Sequence, residues 1–259
     1  MYNHHSIGLQ FKSKTFLAFG LNQKNNDVIK NKKTGNIRFL NTGELMFTFD
    51  SCYKIKFGVR CCLSKRPISM NLLGSLSNQD INFYMINDEK TMNPFGCLYD
   101  FCKSVESTDF DFIVLLEDDS VINNNMKLNA NRIVSRFERN FSKLNLVFLS
   151  VDSHNDYLIG SSYNHKFKMF SRTQKMHYSA GVLLSKKFLI AFSNHISKNN
   201  LLTKERNFDL EISDFCIKSY GSFFVTRPSI VATDKSIESS LNNSYKPCDN
   251  QFSLDHVFV

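Results

Sequence analysis

From residue 53 onward the chain switches between two periods. Short β-rich runs alternate with stretches whose apolar residues recur three and four positions apart. YKIKFGVRCCL (53–63) reads as a strand, the loop SKRP follows, and ISMNLLGSLSNQ places Ile68, Leu72, Leu73 and Leu76 at helical spacing. INFYMIND is a second strand and ends at Asp88. Strand, loop, helix and strand within about thirty residues predict a βαβ unit, hence a parallel pair with a right-handed crossover. The pattern repeats: after EKTMNPFG, the stretch CLYDFCKSVES sets Leu98, Phe101, Cys102 and Val105 on one helical face. It leads to FDFIVLLEDDS (110–120), an apolar run with the composition of a strand buried on both faces. This strand is predicted to be the centre of the sheet.

MKLNANRIVSRFERNF is predicted as a basic amphipathic helix and KLNLVFLSVD as a fourth strand. Ser153 to Lys175 is polar, turns at Gly160-Ser161-Ser162, and reads as a long loop over the active face. A strand from Tyr178 to Leu184 and a helix from Lys186 follow. NFDLEISDFCIKSY (207–220) reads as an acidic helix, stopped by Gly221. SFFVTRPSIVAT is a last strand broken at Arg227-Pro228. Residues 1–52 form an extension in which NIRFLNTGELMFTFD predicts a hairpin around Asn41-Thr42-Gly43. The expected organisation is an extension (1–52), an α/β domain with a mostly parallel sheet flanked by helices (53–243), and a polar tail (244–259) that is partly mobile.

Composition narrows the class. At 259 residues the chain suits one large α/β domain or two small ones, and 42% hydrophobic with 22% charged residues is the balance of a soluble globular protein. No window approaches eighteen uninterrupted apolar residues, and the amino terminus lacks a basic region followed by an apolar one. The expected location is cytoplasmic, in a host cytoplasm if the source is viral. The bias toward Lys, Asn, Ile and Phe over Ala and Gly is that of an AT-rich coding sequence, as in viruses and some bacteria. Seven cysteines, with Cys61 and Cys62 adjacent and no CxxC pair, point to reduced packing residues rather than disulfides or structural zinc. The net charge of +8 and pI near 9.1 call for an anionic partner such as a nucleotide diphosphate, nucleic acid or acidic surface, unless they mark only a Lys-rich solvated face.

The chemistry concentrates after Leu116. Glu117, Asp118 and Asp119 cannot share the burial of the strand before them, because an ionised carboxylate in low dielectric costs several kcal/mol unless compensated. They are expected at the strand's carboxyl edge, where open α/β sheets place ligands. A hard divalent cation, Mn²⁺ or Mg²⁺, carrying a phosphorylated ligand suits three acids there. A solvated loop or a helix cap is the plainer reading. Arg66 and Asp88 end on the same rim, and Glu211 and Asp214, three apart, share a helix face.

Taken together, VRCCLSKRP, FYMIND, NPFGCLYDF, FIVLLEDDSV, HYSAGVLLS and NFDLEISDFCIKSYGSFFVTRPSIVATDKSIESSLNN resemble the GT-A glycosyltransferases over roughly residues 55–243. That family has a Rossmann-like sheet and uses a nucleotide-diphosphate sugar with a divalent metal held by a DxD-type motif. The resemblance implies a hexosyl- or pentosyltransferase with a UDP-sugar as the foremost donor. It implies Asp119 as direct metal ligand with Asp118 beside it, and Glu117 or Asp118 toward the ribose or a metal-bound water. Arg66 would meet the diphosphate and Asp88 the base or ribose. Glu211 is the first choice of general base, with Asp214 and Asp209 behind it. Gly181 would let backbone approach the donor sugar or acceptor, and His177 is a candidate acceptor contact. The chain departs from the family where a Gln-His pair is replaced by Ala232-Thr233; Asp234, next in line, is the candidate substitute ligand. The acceptor would be a glycan or a hydroxymethylated base in phage DNA. DNA would need phosphate contacts from the helix 125–141 and a flipped base. Inversion and retention both stay open. The rivals are a non-catalytic nucleotide or nucleic-acid binder on the same scaffold and a nucleotidyltransferase, which releases pyrophosphate.

Overall fold

The computed structural model describes residues 7–11, 14–18, 29–31, 35–39, 45–48, 53–61, 63, 67–87, 94–141, 145–150, 170–173, 180–203, 208–221, 223–234, 236 and 252–258. In the extension, β1 (Ile7–Phe11) and β2 (Lys14–Ala18) form a hairpin. β3 (Ile29–Asn31), β4 (Gly35–Phe39) and β5 (Leu45–Thr48) form a separate antiparallel sheet. The register Phe39↔Leu45 makes β4 and β5 the hairpin predicted around Asn41-Thr42-Gly43, although those three residues lie outside the described ones.

The domain proper is built on a seven-stranded sheet in the order β11-β13-β10-β12-β8-β6-β7. Its strands are β6 (Ile55–Cys61), β7 (Phe83–Asn87), β8 (Phe112–Glu117), β10 (Leu146–Phe148), β11 (Phe170–Thr173), β12 (Gly181–Ser185) and β13 (Phe223–Thr226). β6 pairs in parallel with both β7 and β8, and β10 with β13. β12 runs antiparallel between β8 and β10, and β11 is an antiparallel edge. Five strands therefore share one direction, and the expected α/β architecture is found. β11 forms within the stretch predicted as loop; the remainder of 153–175 lies outside the described residues.

Alternation along the strands divides the core in two. Ile113 and Leu115 of β8 face a cluster with α2 (Pro94–Val105), α4 (Lys186–Lys198) and α5 (Phe208–Tyr220). Phe112, Val114 and Leu116 face the other way, toward α1 (Met70–Asn78) and α3 (Met126–Phe141). A strand covered on both faces must be apolar at every position, which is why the run 112–116 shows no polar residue. Local signals set the helix ends. Ser69 caps α1 by accepting from Leu72 N, Ser185 caps α4 by accepting from Phe188 N, and Gly221 adopts φ +80° after α5. α2 starts three residues earlier than the apolar spacing indicated, at Pro94, whose missing N–H costs nothing in a first helical turn.

Two features were not read from the sequence. The second half of the predicted broken strand, β14 (Val231–Thr233), pairs antiparallel with β9 (Ser120–Ile122) as a small ladder beyond the main sheet. The other is the chain end: residues 252–258 pack against the domain rather than trailing from it. Ser229 and Phe252 form a parallel bridge, Asn123 and Asn129 donate to the His256 carbonyl, Asn129 accepts from Phe258 N, and the Phe258 ring lies 2% exposed beside Met126 and Ile133. The four described cysteines are buried and form no disulfide, and no helix among the described residues is long and apolar enough to cross a membrane. Replacing Phe258 by Ala is expected to cost about 3–5 kcal/mol, the range for a fully buried phenylalanine. Urea denaturation measures it; a loss below about 1 kcal/mol would mean that the terminal segment contributes no core.

Candidate functional site

The acidic tripeptide forms the turn between β8 and β9, and the turn is tightly held. Glu117 N donates to Ala180 O (3.0 Å) and to Ser120 Oγ (3.0 Å), and the Ser120 hydroxyl donates to the same Ala180 carbonyl (2.6 Å). Ser69 N donates to Asp118 O (2.8 Å) and Asp234 N to Asp119 O (2.6 Å). The aspartates stand at the carboxyl end of β8 as expected, but at 5% and 6% exposed they are as buried as the strand itself, contrary to the expectation, and the middle strand of the seven is β12 rather than β8. The strand direction brings the acids here, and the β9–β14 ladder keeps them here.

Glu117 belongs to the other side of the turn. It ends β8 on the face of Ile113 and Leu115, directly across the parallel ladder from Arg60 of β6, and the two form a salt bridge. The Arg60 guanidinium lies 4.1 Å from the centroid of the Phe208 ring at the start of α5. Burial works against its charge, but Glu117, then Asp209 and Cys97, hold it protonated with a raised pKa. Burial raises the Glu117 carboxyl; Arg60 opposes this, and the Asp119 and Asp118 charges reinforce it. The parallel register thus gives Glu117 its own cation. Arg60 was not singled out in the sequence. The signal was there: a cation inside an apolar strand run, two residues after Gly58, is on one face with it and must meet a partner.

α5 carries the three proposed bases, and the helix separates them. Asp209 is buried in the first turn, where its charge acts on Arg60. Glu211 is buried on the side toward α4, with Oε1 2.9 Å from His195 Nε2. Asn199 Nδ2 lies 3.0 Å from His195 Nδ1, so the network assigns the ring proton to Nε2, which donates to Glu211. Phe192 and Phe215 pack on the same imidazole. Asp214 is exposed. Of the three, Asp209 is the one whose charge bears on Arg60, the partner of Glu117.

Asp234 follows β14 and sits across the ladder from Asp119, as the register Thr233↔Ser120 requires. Its carboxylate already takes four hydrogen bonds: Oδ2 from Ser69 Oγ (3.1 Å) and Asn71 Nδ2 (2.8 Å), Oδ1 from Ser236 N (3.0 Å) and Ser236 Oγ (2.6 Å). The Ser236 hydroxyl leads in holding its pKa down to about 2. At Gly181, a Cβ would meet Leu116 Cδ2 at 3.0 Å and both Val231 methyls at 3.2 Å. Its missing side chain therefore serves packing between β12, β8 and β14. Arg66, Asp88 and His177 lie outside the described residues. Among the described residues no three His, Cys, Asp or Glu side chains are gathered as a metal cage. On α3, Lys127 donates to Asp80 O (3.3 Å) and Arg132 donates to Phe258 O.

No family model matches the chain, and no curated protein matches it. Among solved structures, protein A197 from STIV is similar at 12% identity and TM-score 0.43, over 72% of this chain and 87% of that one. A glycosyltransferase involved in the glycosylation of the major capsid of PBCV-1 is similar at 12% identity and TM-score 0.35, over 65% and 76%. S. aureus TarS is similar at 14% identity and TM-score 0.37, over 67% of this chain and 57% of that one.

Two outcomes test this geometry. Arg60→Met is expected to destabilise the fold by about 2 kcal/mol, less than the ~3–5 kcal/mol of a fully buried pair because the Glu117 side chain is 33% exposed. Adding Glu117→Gln should restore part of the loss in urea denaturation; no recovery would mean that Arg60 acts through packing alone. Asp234 gives a pH signature. Its folded pKa lies below the ordinary carboxylate value, so its contribution is complete above about pH 4 and is lost as pH falls toward 2. The gap in melting temperature between wild type and Asp234→Asn, open at pH 6, should narrow as the pH drops from 4 to 3; a constant gap would refute the assignment.

Proposed function

We propose that the protein is a glycosyltransferase that moves a sugar from a nucleotide-diphosphate donor, a UDP-sugar foremost, to a hydroxyl of a glycan. The observation that carries this reading is the pairing of two features at one sheet edge. A buried Asp118-Asp119 turn ends β8, and a buried carboxylate, Asp209, starts the helix on the other side of Arg60.

The residues fit a divalent cation. Two hard carboxylates stand adjacent beyond the one that Arg60 neutralises, and a site with few protein ligands is typical of Mg²⁺ or Mn²⁺, which keep waters and take substrate phosphates. Asp119 and Asp118 would hold the ion, whose chemistry is to offset charge growing on the departing diphosphate. The side chains supply the rest. Asp209 accepts the proton of the acceptor hydroxyl as its oxygen attacks the anomeric carbon, giving direct displacement with inversion. Arg60 lies against the ring of Phe208, the residue before Asp209, at the same edge. Glu211, engaged by His195, secures the start of α5 and is the weaker candidate base. A glycan is favoured over DNA because two cations of α3, Lys127 and Arg132, are occupied by carbonyls of the chain itself.

Incubation with UDP- and GDP-sugars and Mn²⁺ should release nucleoside diphosphate, and Asp119→Ala should abolish the release. Asp209→Asn should lower kcat by roughly 10²–10⁴ with KM for the donor little changed, and Glu211→Gln should do much less. Full activity in Asp119→Ala removes the proposed site. Pyrophosphate release from a nucleoside triphosphate would make the protein a nucleotidyltransferase instead.

A further inference from the structure

Asp234 stands where a ligand to the cation was expected, yet its surroundings describe a different task. The two carbonyls of the acidic turn are gripped from two sides, Asp118 O by the amide of Ser69 and Asp119 O by the amide of Asp234. Those two segments, the start of α1 and the end of β14, are 165 residues apart in sequence. What joins them is the Asp234 carboxylate, through Ser69 Oγ and Asn71 Nδ2 on one oxygen, with Ser236 closing on the other. The result is a closed circuit: Asp118 carbonyl, Ser69, Asp234 side chain, Asp234 amide, Asp119 carbonyl. A carboxylate offers about four acceptor positions, and four donors occupy this one. To bind a cation directly it would have to surrender some of them.

We infer that Asp234 is a positioning residue, a clasp that fixes the backbone of Asp118 and Asp119 by tying α1 to β14, and is not itself a ligand to the metal. The assignment rests on the glycosyltransferase reading only for what the two aspartates hold. The clasp itself is a property of the metal-free chain. It also fits Ala232-Thr233 standing where the resembling pattern carries Gln-His: β14 here contributes a strand and an anchor.

The two roles predict opposite responses to freeing the carboxylate. If Asp234 is a clasp, removing its partners on α1 with Ser69→Ala/Asn71→Ala loosens the turn and weakens metal binding, as Asp234→Asn does. If it is a ligand, removing those partners frees its oxygens, and binding is unchanged or tighter while Asp234→Asn alone is damaging. Mn²⁺ binding is read by electron paramagnetic resonance, with Mn²⁺ alone and with Mn²⁺ plus UDP. Amide hydrogen exchange of Ser69 and Asp234 is read in the metal-free protein. Both variants are expected to weaken Mn²⁺–UDP binding by roughly 10-fold, the lower end for residues that orient ligands. Exchange at the two amides should quicken by a similar factor. Ser69→Ala also removes the α1 cap, so Asn71→Ala alone, which spares it, must move the same amides in the same direction.

Unchanged or tighter Mn²⁺ binding in Ser69→Ala/Asn71→Ala, or unaltered exchange at both amides, overturns the clasp. If the wild-type protein binds no Mn²⁺ with or without UDP, the transferase reading fails, and the exchange measurement still decides whether Asp234 holds the turn.

Discussion

Everything at this sheet edge follows from the cost of concentrating negative charge at the end of a strand buried on both faces. Three successive carboxylates leave the apolar run of β8, and none can move far from low dielectric because β8 is covered on both faces. The fold meets the cost unevenly. Strand alternation turns Glu117 toward the α5 side, where the parallel register supplies Arg60 directly opposite. Asp118 and Asp119 lie in the turn itself and receive amides on their carbonyls, which fixes the backbone that carries their side chains.

That division also explains the placement of the small β9–β14 ladder. A turn bearing two buried acids would reorganise to reach solvent if its backbone were free. The ladder, Ser120 bonded to Ala180, and the α1 start bonded to Asp118 remove that freedom. Gly181 belongs to the same construction: only a residue without Cβ lets Val231 of β14 pack this closely over β12.

The sequence disclosed what periodicity and punctuation encode. The βαβ repeats, the doubly covered strand β8, α3, α4, α5 and the stop at Gly221 all stand where spacing and caps put them, because each is specified by residues within one local stretch. It disclosed less where the deciding partner is remote. The antiparallel direction of β12 depends on its neighbours β8 and β10, and nothing in GVLLS encodes it. Phe258 reads as the end of a polar tail until the pocket between α3 and β9 is seen to receive it. In the site the acids were legible, since charges after an apolar run have few interpretations. Arg60 was obscured by its own neighbours, the Lys54-Ile55-Lys56 alternation making it look like another solvated cation. Ser69, Asn71 and Ser236 are ordinary cap and turn residues until Asp234 gathers them.

The choice among the acids of α5 shows where local reasoning reaches its limit. Spacing alone groups Glu211 with Asp214, because residues three apart share a face. It equally requires that Asp209 and Glu211, two apart and so roughly 200° around the helix, point to nearly opposite sides. Only one of them can look toward the acidic turn, and periodicity cannot say which. Phe208 decides it. Wedged against Phe95 and Phe192 while stacked on Arg60, that ring sets the rotation of the first turn. With it fixed, Glu211 turns to His195 on α4 and Asp209 falls within reach of Arg60's field. An aromatic side chain thus selects which carboxylate of α5 shares an edge with Arg60.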